Sequence, residues 1–207
     1  MSQLSNLPIC KKVILKSRPK KDPLPENFEI VEESARAPEE GEILVEVDTL
    51  SIDAFIRTTL SEDAFHGTAG IGDAVTALGI GKVLISRSDI FKEGEMVSGP
   101  MGAQTHNTMA AEVFQKITNP DLDLPVQLGI LGVSTGLTAY FGMLNVGQVQ
   151  SGDTVVVSAA AGAVGSVACQ IAKLKGAKVI GIAGGPDKAK FIVSELGMDA
   201  AIDYKNQ

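Results

Sequence analysis

The chain opens with short alternations of apolar and polar residues. "KKVILKS" (11–17) and "FEIVEES" (28–34) alternate with a period of two, and "GEILVEVDTLSID" (41–53) is a longer run of the same kind. "LGIGKVLISRS" (78–88) and "GEMVSGP" (94–100) follow, separated by Gly, Pro and acidic turns. Short strands at this spacing predict a small barrel or sandwich rather than strand–helix–strand units. The period then changes. A helical stretch starts near Pro125, breaks around Gly132 to Gly136 and leads into "LTAYFGMLNVG" (137–147). After a turn at Ser151-Gly152-Asp153, "TVVVS" (154–158) is apolar throughout, the pattern of a strand buried on both faces. The helix predicted from Val164 to Lys175 ends at Gly176, a natural C-cap. "AKVIGIAG" (177–184) predicts the next strand, "PDKAKFIVSELG" (186–197) a helix, and "MDAAIDYKNQ" (198–207) a third short strand. The pattern therefore predicts a β-rich domain over 1–125 and an α/β domain over 126–207, without internal repeats or low-complexity tracts.

Between "TVVV" and the helix lies Ser158-Ala159-Ala160-Ala161-Gly162-Ala163-Val164-Gly165-Ser166. Ala160-x-Gly162-x-x-Gly165 is the G-x-G-x-x-G pattern with Ala in first place, and it follows a strand and opens a helix. Gly162 leaves room for a pyrophosphate, Gly165 lets the helix pack closely on the strand, and the helix N-terminus offers free N–H groups to the phosphate. A tight turn that binds nothing is the plainer alternative, and the βαβ context favours a dinucleotide. An NAD site places an Asp or Glu about 20 residues further on, at the end of the second strand. That place reads Ile182-Ala183-Gly184-Gly185, with no acid, and Lys188 follows it. A cation beside a glycine-lined turn suits a ribose 2′-phosphate, so the pattern favours NADP. Asp187, able to reach a ribose hydroxyl, is the argument for NAD.

Composition narrows the classes. The net charge of −7 argues against a broad basic surface for nucleic acid. Aromatic residues make up 4% and Trp is absent, so the aromatic walls usual in binding pockets are scarce. No apolar run is expected to reach the length of a membrane span. Cys10 and Cys169 have no metal-ligand spacing and fit free, buried thiols in a reducing compartment, with the cytosol as the expectation. The basic start of the chain fits a first strand ending at Pro19 better than a transit peptide. His66 and His106 each lack a second ligand at metal spacing. Ser51 and Asp53, two apart at a strand end, are expected to face one side, but no histidine completes a triad. Glu32, Glu33, Glu39, Glu40 and Glu42 fit a solvated loop. If the chain is an enzyme, the chemistry belongs to a cofactor and no catalytic or metal-binding residue is assigned.

The stretch "TGLTAYFGMLNVGQVQSGDTVVVSAAAGAVGSVACQIAKLKGAKVIGIAGGPDKAKF" resembles the zinc-independent medium-chain dehydrogenases/reductases, in the branch of leukotriene B4 dehydrogenase, prostaglandin reductase and 2-alkenal reductase. "SRPKKDPLPENFEIVE" and "LSIDAFIR" resemble that branch too. The resemblance implies a GroES-like β domain followed by the first half of a Rossmann domain, with homodimers paired through the Rossmann sheets. It implies NADPH as cofactor, reducing the C=C bond of an α,β-unsaturated aldehyde or ketone. By the same resemblance, Gly162, Ala163, Val164 and Gly165 hold the pyrophosphate. Lys188 and Tyr204 lie at the 2′-phosphate, beside the Gly184 turn, and Thr138 lies close to the nicotinamide. Where zinc enzymes of the superfamily carry Cys and then Gly-His-Glu, this chain has Leu50-Ser51 and Gly79-Ile80-Gly81.

A phenolic hydroxyl of the branch is absent at Phe55, and two of its substrate-side aromatics are absent at Ala103 and His106. Asp53-Ala54-Phe55-Ile56-Arg57 replaces Asp-Pro-Tyr-Met-Arg, and Gly102-Ala103-Gln104-Thr105-His106 replaces Gly-Trp-Gln-x-Tyr. Prostaglandin-type specificity is therefore not expected. A doubly wound dinucleotide fold has two βαβαβ halves, and the sequence supplies one. A truncated form of a longer enzyme is the expectation, with a non-catalytic NADP(H)-binding or redox-sensing fragment as the alternative.

Overall fold

The computed structural model describes residues 6–65, 67–119 and 121–206. The chain divides into two compact units, Met1–Leu124 and Pro125–Gln207.

In the first unit, β1 (Ile9–Leu15) pairs antiparallel with β2 (Phe28–Ser34), Lys11 opposite Glu32. Ion pairs Lys11–Glu32 (3.0 Å) and Lys12–Glu33 (2.7 Å) cross this ribbon. Both glutamates are thus strand residues rather than part of a solvated loop. Glu42 also leaves the loop: it opens β3 (Glu42–Leu50) and takes the Arg36 guanidinium on both oxygens, at 2.7 and 2.6 Å. That pairing, helped by the Glu39 N–H, lowers the Glu42 carboxyl to about 2.

β3 lies inside a five-stranded antiparallel sheet with β4 (Leu78–Ser86), β5 (Met96–Pro100), β6 (His106–Ala110) and β7 (Gln115–Lys116), in the order β6-β3-β4-β5-β7. Ile43, Val45, Val83, Val97, Met101 and Phe114 fill its core. β6 escapes the alternation test, because "HNTMA" carries one large apolar residue; its pairing with β3, Glu46 opposite His106, makes it a strand. β3 ends at Leu50, and Asp53 is the N-cap residue of a short helix, α1 (Ala54–Thr59). Ser51 and Asp53 therefore do not share a strand face, contrary to the expectation from their spacing.

The second unit begins with helical turns: α2 (Leu124–Leu128), π-type turns at Val133–Leu137 and Phe141–Val146, and α3 (Thr138–Tyr140) between them. The segment Leu124–Val146 is 23 residues long with a mean hydropathy of 1.3, long and apolar enough by those two measures to cross a membrane. This corrects the expectation that no apolar run reaches that length. Within the segment, Gly132 is extended (φ −75°, ψ 153°), so the 23 residues are not one continuous helix, although its N–H and carbonyl are bonded to Gly129 and Leu137.

A parallel sheet follows: β8 (Thr154–Val157), α4 (Ala163–Leu174), β9 (Lys178–Ala183), α5 (Pro186–Ser194) and β10 (Ala200–Asp203), with strand order β10-β9-β8. Ala160, Cys169, Ala172, Val179, Ile192 and Met198 form its core. The centre of β9 is a close approach: a Cβ on Gly181 would lie 2.7 Å from Ile192 and 2.8 Å from Ala160. Among the described residues β8 pairs with β9 alone, and Val156 is 57% exposed. Gly176, at φ +82°, takes the left-handed position after α4.

Candidate functional site

The small-residue turn is held beside β9. Ala160 N–H donates to the Ile182 carbonyl at 3.0 Å, carrying the β8–β9 ladder past the end of β8. Ala159 then adopts φ +48°, and the Gly162 N–H closes onto its carbonyl at 2.8 Å. Gly162 is the N-cap residue of α4, extended at φ −87° and ψ 175°, with no side chain capping the helix. The N–H groups of Ala163, Val164 and Gly165, in the first turn of this 12-residue helix, have no partner inside it. Such a terminus, with its positive dipole end, suits an anion.

The two glycines of the turn do different things. A Cβ at Gly165 would overlap the Ala159 carbonyl oxygen and stand 3.0 Å from Ala160 Cα, so this position is closed by backbone. A Cβ at Gly162 would meet only the Ala159 oxygen, at 3.1 Å, and otherwise open space. Gly165 is a packing requirement; Gly162 leaves a cradle in front of the helix that a phosphate group fits.

At the next strand end, Gly185 (φ +100°) precedes Pro186, the first residue of α5, and Lys188 stands exposed in that first turn. Gly184 faces the residues after β10. A Cβ there would lie 2.8 Å from the Tyr204 ring and hydroxyl and 2.9 Å from Lys205 Cε. Asp203 joins the two segments. Its Oδ1 accepts the N–H of Gly185 at 2.7 Å and of Lys205 at 3.1 Å, and its Oδ2 accepts from Asn206 Nδ2 at 2.6 Å. The Asn206 amide, and next the Gly185 N–H, hold the Asp203 carboxyl below the ordinary carboxylate range. The parallel register, Ile202 beside Ile182 and Asp203 beside Ala183, brings Tyr204 to Gly184. The spacing in "DYK" signals the strand end; Asp203 and Lys205 themselves went unassigned in the sequence because their roles depend on that register.

Thr138 does not join this group through its hydroxyl, which donates to the Val133 carbonyl at 3.0 Å. Asp187, beside Lys188, is exposed in the first turn of α5. Cys10 and Cys169 are free and buried, and burial pushes the Cys169 thiol up, away from reactivity. His66 lies outside the described residues; His106 Nδ1 meets Thr105 Oγ1 at 3.1 Å. Among the described residues, no three His, Cys, Asp or Glu side chains form a group able to hold a metal ion. Gly79-Ile80-Gly81 lies in β4, with Ile80 fully buried; a Cβ at Gly79 would stand 2.6 Å from the Thr49 carbonyl, and one at Gly81 would overlap that of Glu46. A glutamate at 81 would have no room. The first unit also holds an apolar cleft of about 290 Å³ lined by Leu50, Ile52, Asp53, Ile56 and Arg57 among others, and Asp53 Oδ2 is buried there without a hydrogen-bond partner.

A β-rich unit, followed by a parallel βαβαβ unit whose first turn presents a bare helix N-terminus, defines the chain as a GroES-like domain joined to the first half of a dinucleotide-binding fold. A family model described as the N-terminal domain of oxidoreductase matches residues 11–117, and one described as zinc-binding dehydrogenase matches 163–207. The second match includes one cysteine, buried Cys169, and no histidine, so zinc ligation does not follow from that description. The NADPH-dependent curcumin reductase of Escherichia coli is 34% identical over 192 residues, covering 92% of this chain and 55% of that protein. The 2-alkenal reductase (NADP(+)-dependent) of Nicotiana tabacum is 34% identical over 203 residues, covering 95% and 59%. The crystal structure of CurA in complex with NADPH from Vibrio vulnificus superposes with a TM-score of 0.87 at 36% identity, over 94% of this chain and 58% of that one. The chain belongs to the zinc-independent medium-chain dehydrogenases/reductases, and spans little more than half the length of these relatives.

Proposed function

We propose that this chain binds NADP(H) and that the protein is an NADPH-dependent reductase of the C=C bond in α,β-unsaturated aldehydes or ketones. The observation that carries the reading is the open cradle at Gly162, in front of the unpartnered N–H groups of Ala163, Val164 and Gly165. Those groups hold the pyrophosphate; Gly184, Tyr204 and Lys188 hold the adenosine end, where the strand end itself carries no acidic side chain and the neighbouring Asp203 carboxylate is taken up by Gly185, Lys205 and Asn206. Thr138 is assigned to the nicotinamide end on the family resemblance alone, and its hydroxyl is already engaged with the Val133 carbonyl. When bound, NADPH supplies the hydride that adds to the β-carbon of the conjugated carbonyl compound.

The chain's own residues bind and orient; none is assigned to move a proton. The apolar cleft lined by Leu50, Ile52, Ile56 and Arg57 is part of the substrate site in this reading, and its volume of about 290 Å³ suits small enals and enones. A homodimer and a reducing, cytosolic setting complete the proposal; the two buried free thiols agree with the latter. The test is NADPH consumption in the presence of short enals and enones. Turnover that depends on both NADPH and the enal supports the reading; tight NADPH binding without turnover supports instead an NADP(H)-binding role alone.

A further inference from the structure

The end of β9 carries a cation that nothing above has assigned. Lys205 crosses the strand end where an NAD site would place its acid: the Cε of its side chain lies 2.9 Å from a Cβ built on Gly184, beside the Tyr204 hydroxyl at 2.8 Å. Its ammonium nitrogen is one bond further, about 1.5 Å. Among the described residues Lys205 forms no salt bridge, whereas Lys173, on α4, is paired with Asp199. Asp203, the nearest acid in sequence, already has both oxygens occupied, by the Gly185 and Lys205 N–H groups and by Asn206. Those same bonds fix the backbone from which Lys205 projects. A backbone held by Asp203, an exposed ammonium that forms no salt bridge and a strand end with no side chain of its own together make a place for a dianionic group.

We propose that Lys205, lying over Gly184 beside Tyr204, is a second cation that reads the ribose 2′-phosphate, so that cofactor preference is set from the end of β10 as well as from Lys188 on α5. The proposal rests on the reading of this turn as an NADP(H) site. It implies that a single substitution at Lys188 leaves part of the preference in place.

Calorimetric titration of the 207-residue chain with adenosine 2′,5′-bisphosphate and with 5′-AMP isolates the 2′-phosphate. The variants are Lys205→Met, which keeps the stem and removes the charge, and Lys178→Met, which removes a charge at the opposite end of β9. The wild type should prefer the bisphosphate; Lys205→Met should cut that preference about tenfold while leaving 5′-AMP affinity in place, and Lys178→Met should not change it. A wild-type preference undiminished in Lys205→Met overturns the inference while the NADP(H) reading stands. An equal fall in Lys178→Met overturns it too, since the effect is then the general field of the chain. A wild type without preference for the bisphosphate overturns the NADP(H) reading and the inference with it.

Discussion

Asp203 Oδ1 accepts the Gly185 N–H at 2.7 Å, so the end of β10 is tied to the left-handed residue that starts α5. The bond spans two segments that the sequence separates by 18 residues, and both border the strand end at Gly184. Asp203→Ala removes it along with the Asn206 contact. It should weaken NADPH binding by loosening the Lys188 turn, without changing the turn at Gly162; isothermal titration with NADPH and a tryptic-digest comparison of the α5 region check this.

The glycines at 162 and 165 should respond in opposite ways. Gly165→Ala overlaps the Ala159 carbonyl and should lower stability by about 2 kcal/mol or more, read as a fall in the urea midpoint. Gly162→Ala meets one contact at 3.1 Å and should stay within about 1 kcal/mol of wild type. Gly162→Val should fold and yet lose NADPH binding, because its branches fill the cradle. Retained binding in Gly162→Val would remove the pyrophosphate from this turn.

Ala159 sits at φ +48°, where a Cβ is strained by about 1 kcal/mol. Ala159→Gly relieves that strain and should be neutral or stabilising, although the same change inside α4, Ala168→Gly, should cost about 1 kcal/mol. Paired denaturant titrations of the two variants give the comparison.

Stability should fall in acid through identified carboxylates. Glu42 has its folded value lowered to about 2 from 4.5 by Arg36, so the unfolded chain takes up the proton first. The contribution is present above about 4.5, and is lost as pH falls from there through about 2. Glu42→Gln should flatten the pH dependence of the thermal midpoint of the first unit in that window. Asp199, lowered by Lys173, acts with the same sign in the second unit.

The strands of both units were legible where residues alternate or form an apolar run, as in "FEIVEES", which is β2 residue for residue. β6 was not, because its strand character comes from pairing with β3 rather than from its own pattern. In the site, the Gly162 turn could be read locally, since strand, turn and helix are contiguous. Asp203 and Lys205 could not, since they reach Gly184 and Gly185 only through the parallel register of β9 and β10.

Direct titration of the 207-residue chain with NADPH and with NADH tests the central claim most closely. The account predicts saturable binding of NADPH that is tighter than that of NADH by at least about tenfold, and a preference that shrinks in Lys188→Ala. Equal affinity for the two cofactors would contradict the 2′-phosphate site at Gly184, and no binding of either would contradict the cradle at Gly162.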